Sequence, residues 1–224
     1  MPAQMSCTMK LFSSFSGGKD CMLALHRVLS GKEHQVACLL NMCAEDGLRS
    51  LSHGLNRELL ERQSQAMNIP MVFQPTGRAN YETKFKEVIA WLKREKGIEG
   101  GIFGDIYLEA HRVWIERVCR ESGIKPVFPL WGDDTRSLAQ EFISQDFKAL
   151  TVSVRQGVGK EEWLGQLLDT SFFSMLEKLE GIDPCGENGE YHSFVFDGPI
   201  FEYPVSFIRE LPYSSDNHWF LPLL

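Results

Sequence analysis

The sequence predicts an α/β fold in which helices cover a parallel sheet, followed by a smaller α+β C-terminal domain. Two patterns support this. Over residues 9–130, short apolar runs of strand length alternate with amphipathic stretches at helical spacing, which is typical of a parallel sheet with crossover helices. This alternation of strand and helix patterns changes after Trp131 and Gly132, so we expect two domains, residues 1–132 and residues 133–224.

Each predicted element has its own signal. Short segments rich in apolar residues predict strands at 9–15, 35–42, 69–73, 100–105 with its exit turn, and 126–130. Apolar residues recurring every three or four positions predict helices at 22–29, 55–67, 81–96 and 109–122. In the second domain the same signals predict a helix at 138–143, a strand at 147–154, a leucine-rich helix at 163–179 and a strand at 194–196.

Composition excludes several classes of protein. The 224 residues are 43% hydrophobic, enough to fill a sizeable core, yet they contain no apolar run of membrane-spanning length. Residues 1–8 lack the apolar region of a signal peptide, so we expect a cytoplasmic protein in which they form a disordered leader. The six cysteines form no Cys-x-x-Cys pair, which argues against a zinc site or a disulfide framework. The net charge of −7 disfavours nucleic acid as a partner, although a local basic patch is compatible with it.

The segment Ser16-Gly17-Gly18-Lys19-Asp20-Cys21 lies between a predicted strand and a predicted helix. Two glycines allow the backbone to approach a phosphate, while the N–H groups of a helix N-terminus and a lysine attract it. We therefore predict that phosphates bind at Ser14 and at residues 16–21. The alternative is an ordinary strand-to-helix turn with a capping serine.

Two commoner nucleotide motifs do not fit. The Walker pattern requires a glycine where Ser13 stands and a serine or threonine where Asp20 follows the lysine. The dinucleotide fingerprint lacks its third glycine at residues 157–162.

Ligands of parallel sheets bind at the carboxyl ends of the strands. This edge should bring together the loop at 16–21, the end of the strand at 35–42, and Gly104 with Asp105. Backbone groups from Leu39 to Met42 are positioned to meet an adenine edge, although Leu39 and Leu40 also fit plain core positions. Asp105 is a candidate magnesium ligand, with a helix N-cap as the equal alternative.

A second cluster spans residues 181–193 and combines three glycines and three acids with Tyr191 and His192. Its glycines allow sharp bends, and Glu187 and Glu190 are suited to a cationic or amine-bearing group. Composition alone favours a solvated acidic loop, which is the alternative.

These two segments carry a family resemblance. Ser-Gly-Gly-Lys-Asp resembles the SGGxDS loop of the ATP pyrophosphatases, the PP-loop superfamily, with Cys21 in place of the last serine. Gly-Ile-Asp-Pro-Cys-Gly-Glu-Asn-Gly-Glu-Tyr-His, followed by Phe-Asp-Gly-Pro, resembles the signature of the diphthine–ammonia ligase family. Residues 103–106, 112–119 and 129–131 also match its pattern, so the similarity extends over about residues 9–205.

The resemblance implies an adenine-nucleotide α-hydrolase-like (HUP, Rossmann-like) N-terminal domain and a C-terminal domain that helps receive the substrate. It also implies ATP and Mg²⁺ and a carbon–nitrogen ligase reaction: a carboxylate is adenylated, pyrophosphate leaves, and ammonia displaces AMP. The carboxylate is diphthine, a modified histidine of elongation factor 2, or another acceptor if the source is bacterial.

Carried over residue by residue, the resemblance assigns roles as follows. The implied catalytic residues are Lys19, Asp20, Glu187, Glu190 and His192. The implied nucleotide-binding residues are Ser14, Ser16, Gly17, Gly18, Lys19, Asp20, Cys21, Leu39, Gly104 and Asp105. Asp20 and Asp105 are the metal candidates, and the acceptor is expected at Glu187, Asn188, Gly189, Glu190 and Tyr191. The Tyr191 ring suits a quaternary ammonium group, with Tyr107 and Trp131 as weaker candidates.

Other interpretations stay open. One is a PP-loop enzyme that modifies tRNA, although the net acidity and the missing cysteine pair disfavour it. Another is a sensor that holds ATP without turnover, in which the acidic cluster has no role. His53 fits a surface histidine better than a substrate contact, and His111 fits both equally. The apolar tail at 219–224 either covers a partner, in a homo-oligomer, or folds back.

Overall fold

The computed structural model describes residues 8–51 and 53–224, so seven residues of the predicted leader lie outside the described residues. The strands are β1 Lys10–Ser14, β2 Gln35–Cys43, β3 Met71–Pro75, β4 Gly100–Ile102, β5 Lys125–Val127, β6 Lys148–Arg155, β7 Tyr191–Asp197, β8 Tyr213–Ser215 and β9 His218–Phe220. The helices are α1 Lys19–Gly31, α2 Arg57–Ala66, α3 Tyr81–Lys96, α4 Glu109–Ser122, α5 Thr135–Ser144 and α6 Thr170–Leu176. Single 3₁₀ turns occur at Arg78–Asn80 and Glu161–Trp163.

The first five strands form a parallel sheet in the order β3-β2-β1-β4-β5, which confirms the predicted α/β class. The order places β1 at the centre, between β2 and β4, so the segments that follow these three strands meet at one edge. Helices α3 and α4 have the predicted bounds. Each ends at a glycine in the left-handed region, Gly97 at φ +66° and Gly123 at φ +64°, where a residue with a side chain would be strained.

Apolar residues pack on both faces of this sheet. On one face, Phe12 packs with Val88 of α3 and Ile115 of α4. On the other, the buried residues of α1 join a core that also contains Phe142 of α5 and Val195 of β7. This second core therefore runs through both parts of the chain, and the C-terminal part covers α1. No helix of the described residues is long and apolar enough to cross a membrane.

The C-terminal sheet is antiparallel, in the order β7-β6-β9-β8. The apolar tail folds back onto it: Trp219 pairs with Val154, and the Leu221 N–H donates to the Val152 carbonyl at 2.8 Å. Strands β8 and β9 were not among the predicted elements, because each is three residues long and has little local pattern.

The prediction of one helix over 163–179 is wrong. Residues 164–169 leave the helical path at Gly165, whose φ is +72°, and α6 begins only after Asp169. The Asp169 side chain accepts from the Phe172 N–H at 2.9 Å, which starts a new helix at that point. The strand predicted at 126–130 is also shorter, since β5 ends at Val127.

A backbone bond and a buried amide link β7 to the glycine loop. The Val195 N–H donates to the Gly17 carbonyl at 3.0 Å. The Gln63 amide of α2 donates to the Gly17 carbonyl at 3.0 Å and to the Val195 carbonyl at 2.6 Å. Gln63 is 0% exposed, so water cannot replace these bonds.

We expect Gln63→Leu to lower the free energy of unfolding by about 1–3 kcal/mol, because the buried Val195 carbonyl loses its amide donor. Urea unfolding followed by circular dichroism measures this change. Gln65→Leu, at an exposed position of the same helix, is the matched control and should change stability by less than about 0.5 kcal/mol. Equal effects of the two variants would contradict a bridging role.

Candidate active site

A cavity of about 1210 Å³ opens at the carboxyl edge of the parallel sheet. Both parts of the chain line it. The lining segments are 14–16, 19–21, 40–42, 103–105, 185–189 and 191–193, together with Leu51, His53, Arg78, Tyr81, Phe85, Leu108, Ala110, His111, Trp114 and Ile115. The two segments that the sequence analysis singled out therefore face one space.

The glycine loop is shaped by close backbone contacts. Gly17 has φ +85°, a conformation that favours glycine. A methyl group on Gly18 would lie 2.6 Å from Nε2 of His53, and one on Gly104 would lie 2.9 Å from the backbone of Asp20. The loop and the exit of β4 thus approach their neighbours more closely than a side chain permits.

Lys19 lies on the floor of the cavity and is 5% exposed. Its ammonium group lies 2.9 Å from the Asp20 carboxylate, donates to the Cys185 carbonyl, and sits 5.2 Å from the centroid of the Tyr191 ring. Burial opposes the charge, but the surrounding groups together, Asp20 first among them, outweigh burial and raise the pKa of Lys19 well above its ordinary value. The lysine is therefore a fixed positive charge at the start of α1.

The acidic segment is built around two glutamates. Glu187 accepts from the Ile106 N–H at 3.1 Å, which connects the segment to the exit of β4. Burial, and then the neighbouring Asp20 charge, raise the pKa of Glu187 to about 7 against the opposing Ile106 bond. Glu190 is 1% exposed and accepts from the Asp183 N–H at 3.0 Å and from the Asn188 amide at 3.3 Å.

Tyr191 is almost completely buried, and its hydroxyl donates to the Pro184 carbonyl at 2.6 Å. The sequence predicted that its ring would meet a cationic ligand, whereas in this structure the ring contacts the Lys19 ammonium group. Tyr107 is 39% exposed, and its hydroxyl donates to the Asp183 carboxylate at 3.3 Å. Trp131 stacks on the Arg112 guanidinium at 4.7 Å and does not line the cavity.

His53 and His192 meet in the cavity, with ring centroids 4.4 Å apart. Burial and the nearby Lys19 charge lower the pKa of His192 to about 4, and burial, His192 and Lys19 lower the pKa of His53 well below its ordinary value. Both rings are thus neutral near pH 7. The sequence favoured a surface position for His53, and the structure places it, half-buried, against Gly18. Its position in the loop after β2, at the ligand edge of the sheet, was the available signal.

Asp20 and Asp105 both line the cavity, and Oδ1 of Asp105 lies 3.2 Å from Nδ1 of His111. Asp105 does not cap α4, whose N-cap position is Leu108. Among residues 8–51 and 53–224, no group of three His, Cys, Asp or Glu side chains is arranged to hold a metal ion. A metal here would have two candidate protein ligands and would depend on a substrate for the others.

The remaining predicted site residues divide between the cavity and the core. Leu39 is 0% exposed and lies in the apolar core, while Leu40, Asn41 and Met42 line the cavity. Only the backbone of Asn41 was predicted to lie in the site, and its side chain was not: the amide donates to the Phe15 carbonyl at 2.7 Å, and Oδ1 has no partner among the described residues. Ser14, Ser16, Asn188 and Gly189 line the cavity as expected, whereas Gly17 and Gly18 are not among its lining residues and pack against Leu60 and His53.

Fold and site together define a class: an α/β enzyme with a glycine loop between the central strand and the first helix, at the ligand edge of a parallel sheet. Models of known protein families match both parts of the chain. The diphthamide synthase N-terminal domain matches residues 9–126, and the diphthamide synthase C-terminal domain matches residues 134–221. The chain belongs to the diphthamide synthase family.

Curated relatives cover most of the chain. A Bos taurus protein named diphthine–ammonia ligase is 27% identical over 221 residues, covering 88% of this chain and 82% of its own. The Homo sapiens protein of the same name is 26% identical with the same coverage. A Danio rerio protein, also named diphthine–ammonia ligase, is 27% identical and is covered over 86% of its length.

We expect the Glu187 carboxyl to titrate near pH 7, above its ordinary value of 4.5, because burial disfavours the carboxylate. The folded protein then holds this proton more tightly than the unfolded chain does, so the group lowers stability as pH rises from about 4.5 to about 7. Carbon-13 NMR of labelled glutamate side chains measures the midpoint, and Glu187→Gln identifies the signal. Glu180→Gln, at an exposed position, is the control and should leave the signal in place. A midpoint near 4.5 would contradict the expected burial effect.

Proposed function

We propose that this protein is an ATP-dependent ligase that joins ammonia to a carboxylate as an amide and releases AMP and pyrophosphate. One observation carries the proposal: the glycine loop and the acidic segment face the same cavity and are joined through Lys19, which donates to the Cys185 carbonyl. A site for nucleotide phosphates thus adjoins a site suited to a cationic reactant. The names of the relatives support the same reaction class.

The residues present fit ATP. Helix α1 begins at a glycine N-cap with no side-chain cap of its own, so its positive end faces the loop. Gly17 and Gly18 allow a phosphate to approach the backbone, and Lys19 adds a full charge beside it. The cavity exceeds the usual size of a small-ligand site, as expected where a nucleotide and an acceptor bind together.

Asp20 and Asp105 would hold a magnesium ion. Mg²⁺ usually binds through one or two carboxylates, with substrate phosphates and water as the other ligands, so two acids at the cavity edge fit it. When bound, the ion supplies positive charge to the phosphate oxygens.

In the proposed reaction, a carboxylate oxygen of the acceptor attacks the α-phosphorus of ATP. The bond between that phosphorus and the bridging oxygen to the β-phosphorus breaks, and pyrophosphate leaves. The nitrogen of ammonia then attacks the carbonyl carbon, AMP departs, and the nitrogen loses a proton to give the amide. Lys19 and the N–H groups of the loop stabilise the charge that develops on pyrophosphate.

The acidic segment would receive the acceptor and ammonium. Glu187, Asn188 and Gly189 line the cavity with the Glu187 carboxyl near Lys19, and His192 presents a neutral ring to the same space. Glu190 does not line the cavity; its buried carboxylate accepts from Asp183 and Asn188 and so holds the segment in shape. Diphthine, which carries a quaternary ammonium group, suits these acids. A bacterial member would use another carboxylate. We also propose that the division near residue 132 separates the ATP-binding part from the acceptor-binding part.

The test uses ATP, ammonium and a set of acceptors that includes diphthine-bearing elongation factor and small carboxylates. Release of AMP with pyrophosphate, and exchange of labelled pyrophosphate into ATP that depends on the acceptor but not on ammonium, supports adenylation. Release of ADP, or ATP binding without turnover with every acceptor, would exclude the ligase and favour a sensor. Activity with tRNA alone would favour the tRNA-modifying alternative.

We expect Lys19→Ala to lose most of the turnover, by about 100-fold or more, because the departing pyrophosphate loses a preorganised charge. The pyrophosphate-release assay measures it, and circular dichroism checks that the variant is folded. Lys178→Ala, at an exposed position far along the chain, is the control and should keep the wild-type rate. A Lys19→Ala rate equal to that of this control would remove Lys19 from the mechanism.

We expect Glu190→Gln to weaken use of the acceptor and ammonium about tenfold while ATP binding changes little, because a charge is lost with almost no change in shape. Steady-state kinetics with each substrate varied in turn separates the two effects. Equal losses in ATP binding and acceptor use would instead indicate that the buried carboxylate only supports the loop.

A further inference from the structure

Cys21, the sixth residue of the segment 16–21, has a thiol that already makes hydrogen bonds within the loop. The Cys21 sulfur donates to the Gly18 carbonyl at 3.1 Å and accepts from the Ser16 hydroxyl at 3.4 Å. The side chain is 7% exposed, and burial raises the pKa of its thiol. A protonated thiol is a weak donor, so this position offers a phosphate little.

Strand β7 brings a serine to the same place. The carbonyl of Ser193 would lie 3.2 Å from a methyl group on Gly18, and the Ser193 hydroxyl accepts from the Lys19 N–H at 3.1 Å. Gly18, the N-cap of α1, has no side chain that could bond the free N–H groups of the first turn. A residue 174 positions away satisfies one of these groups, the N–H of Lys19.

The Ser193 hydroxyl still has a proton to donate. The residue is 2% exposed and lines the cavity, and among the described residues its hydroxyl accepts the Lys19 bond but donates none. A hydroxyl can accept one bond and donate another at the same time. The Ser193 hydroxyl lies at the N-terminus of α1, where the helix dipole is positive. An anionic oxygen in the cavity is the acceptor that such a hydroxyl suits best.

We propose that Ser193 is a phosphate-binding residue, which supplies from the C-terminal sheet the hydroxyl that Cys21 does not supply in the loop. This inference rests on the proposed function, because its ligand is the pyrophosphate part of ATP. Ser193 accepts from the Lys19 N–H and donates to a phosphate oxygen. The ATP site is then incomplete without β7, although every residue of the glycine loop belongs to the N-terminal part.

A purely structural cap makes different predictions. A cap needs only the oxygen of Ser193, whereas a phosphate ligand needs the proton as well. A cap would affect ATP and AMP alike, whereas a residue that contacts the pyrophosphate part affects ATP alone. Restoring the motif serine at position 21 helps a phosphate ligand and does nothing for a cap.

The experiment measures the affinities of ATP and AMP, each with magnesium, by isothermal titration calorimetry. We expect Ser193→Ala to weaken ATP binding about tenfold or more and to leave AMP binding within about twofold, since a hydrogen bond to a charged group is lost. Ser193→Thr should keep most of the affinity. Adding Cys21→Ser to Ser193→Ala should restore at least part of it. Ser153→Ala, which removes a buried hydroxyl from the neighbouring strand β6, is the matched control and should match the wild type.

The outcomes separate this inference from the proposed function. The role of Ser193 is overturned if Ser193→Ala binds ATP as tightly as the control does. It is also overturned if Ser193→Ala loses ATP and AMP affinity equally and Cys21→Ser restores none of it. In both cases, turnover by the wild type would leave the ligase proposal intact. A wild-type protein that binds no ATP overturns both. Thermal unfolding checks each variant. If Ser193→Ala does not fold, Ser193→Cys keeps the size with a weaker donor, and it should lose ATP affinity in the same way.

Discussion

A buried ammonium group organises the site. Lys19 is 5% exposed, and a charge at such a position requires compensating partners. One partner, Asp20, is its neighbour in α1, but the Cys185 carbonyl and the Tyr191 ring come from the C-terminal part of the chain. Separating the two parts would leave the ammonium group with only one of these three partners, so the contacts that stabilise the charge also hold the two parts together.

This arrangement requires residues without side chains at positions 17 and 18 of the glycine loop. β7 runs against Gly17 and Gly18, and His53 packs on Gly18 at a distance that excludes a side chain. The Glu187 bond to the Ile106 N–H ties the acidic segment to the exit of β4 in a similar way. Three segments that are remote in sequence therefore converge on the start of α1, and each contact involves backbone atoms. The converging geometry explains why the glycine loop and the acidic segment share one cavity.

Much of the fold could be predicted from local sequence patterns. Helices α3 and α4 have strong periodic apolar faces and glycine ends, so their bounds were predictable. The break at Gly165 was not, because the leucines on both sides of it keep a helical spacing while the backbone turns away. For the site, the loop and the acidic segment were visible as motifs, whereas Asn41 and His53 were not. Their types are common in core and surface positions, and their role depends on which neighbours the sheet order provides.

The sequence by itself determined the α/β class, the glycine loop at its first helix and the family resemblance, since these depend on local propensity and on the order of residues along the chain. The glycine loop can be recognised from its own residue types, without knowledge of any distant contact. Only the tertiary structure decided that β7 completes the loop, that Tyr191 faces Lys19, and that the Cys21 thiol is turned toward Gly18. Such pairings arise from the packing of two sheets around α1, and packing joins residues that no local pattern relates.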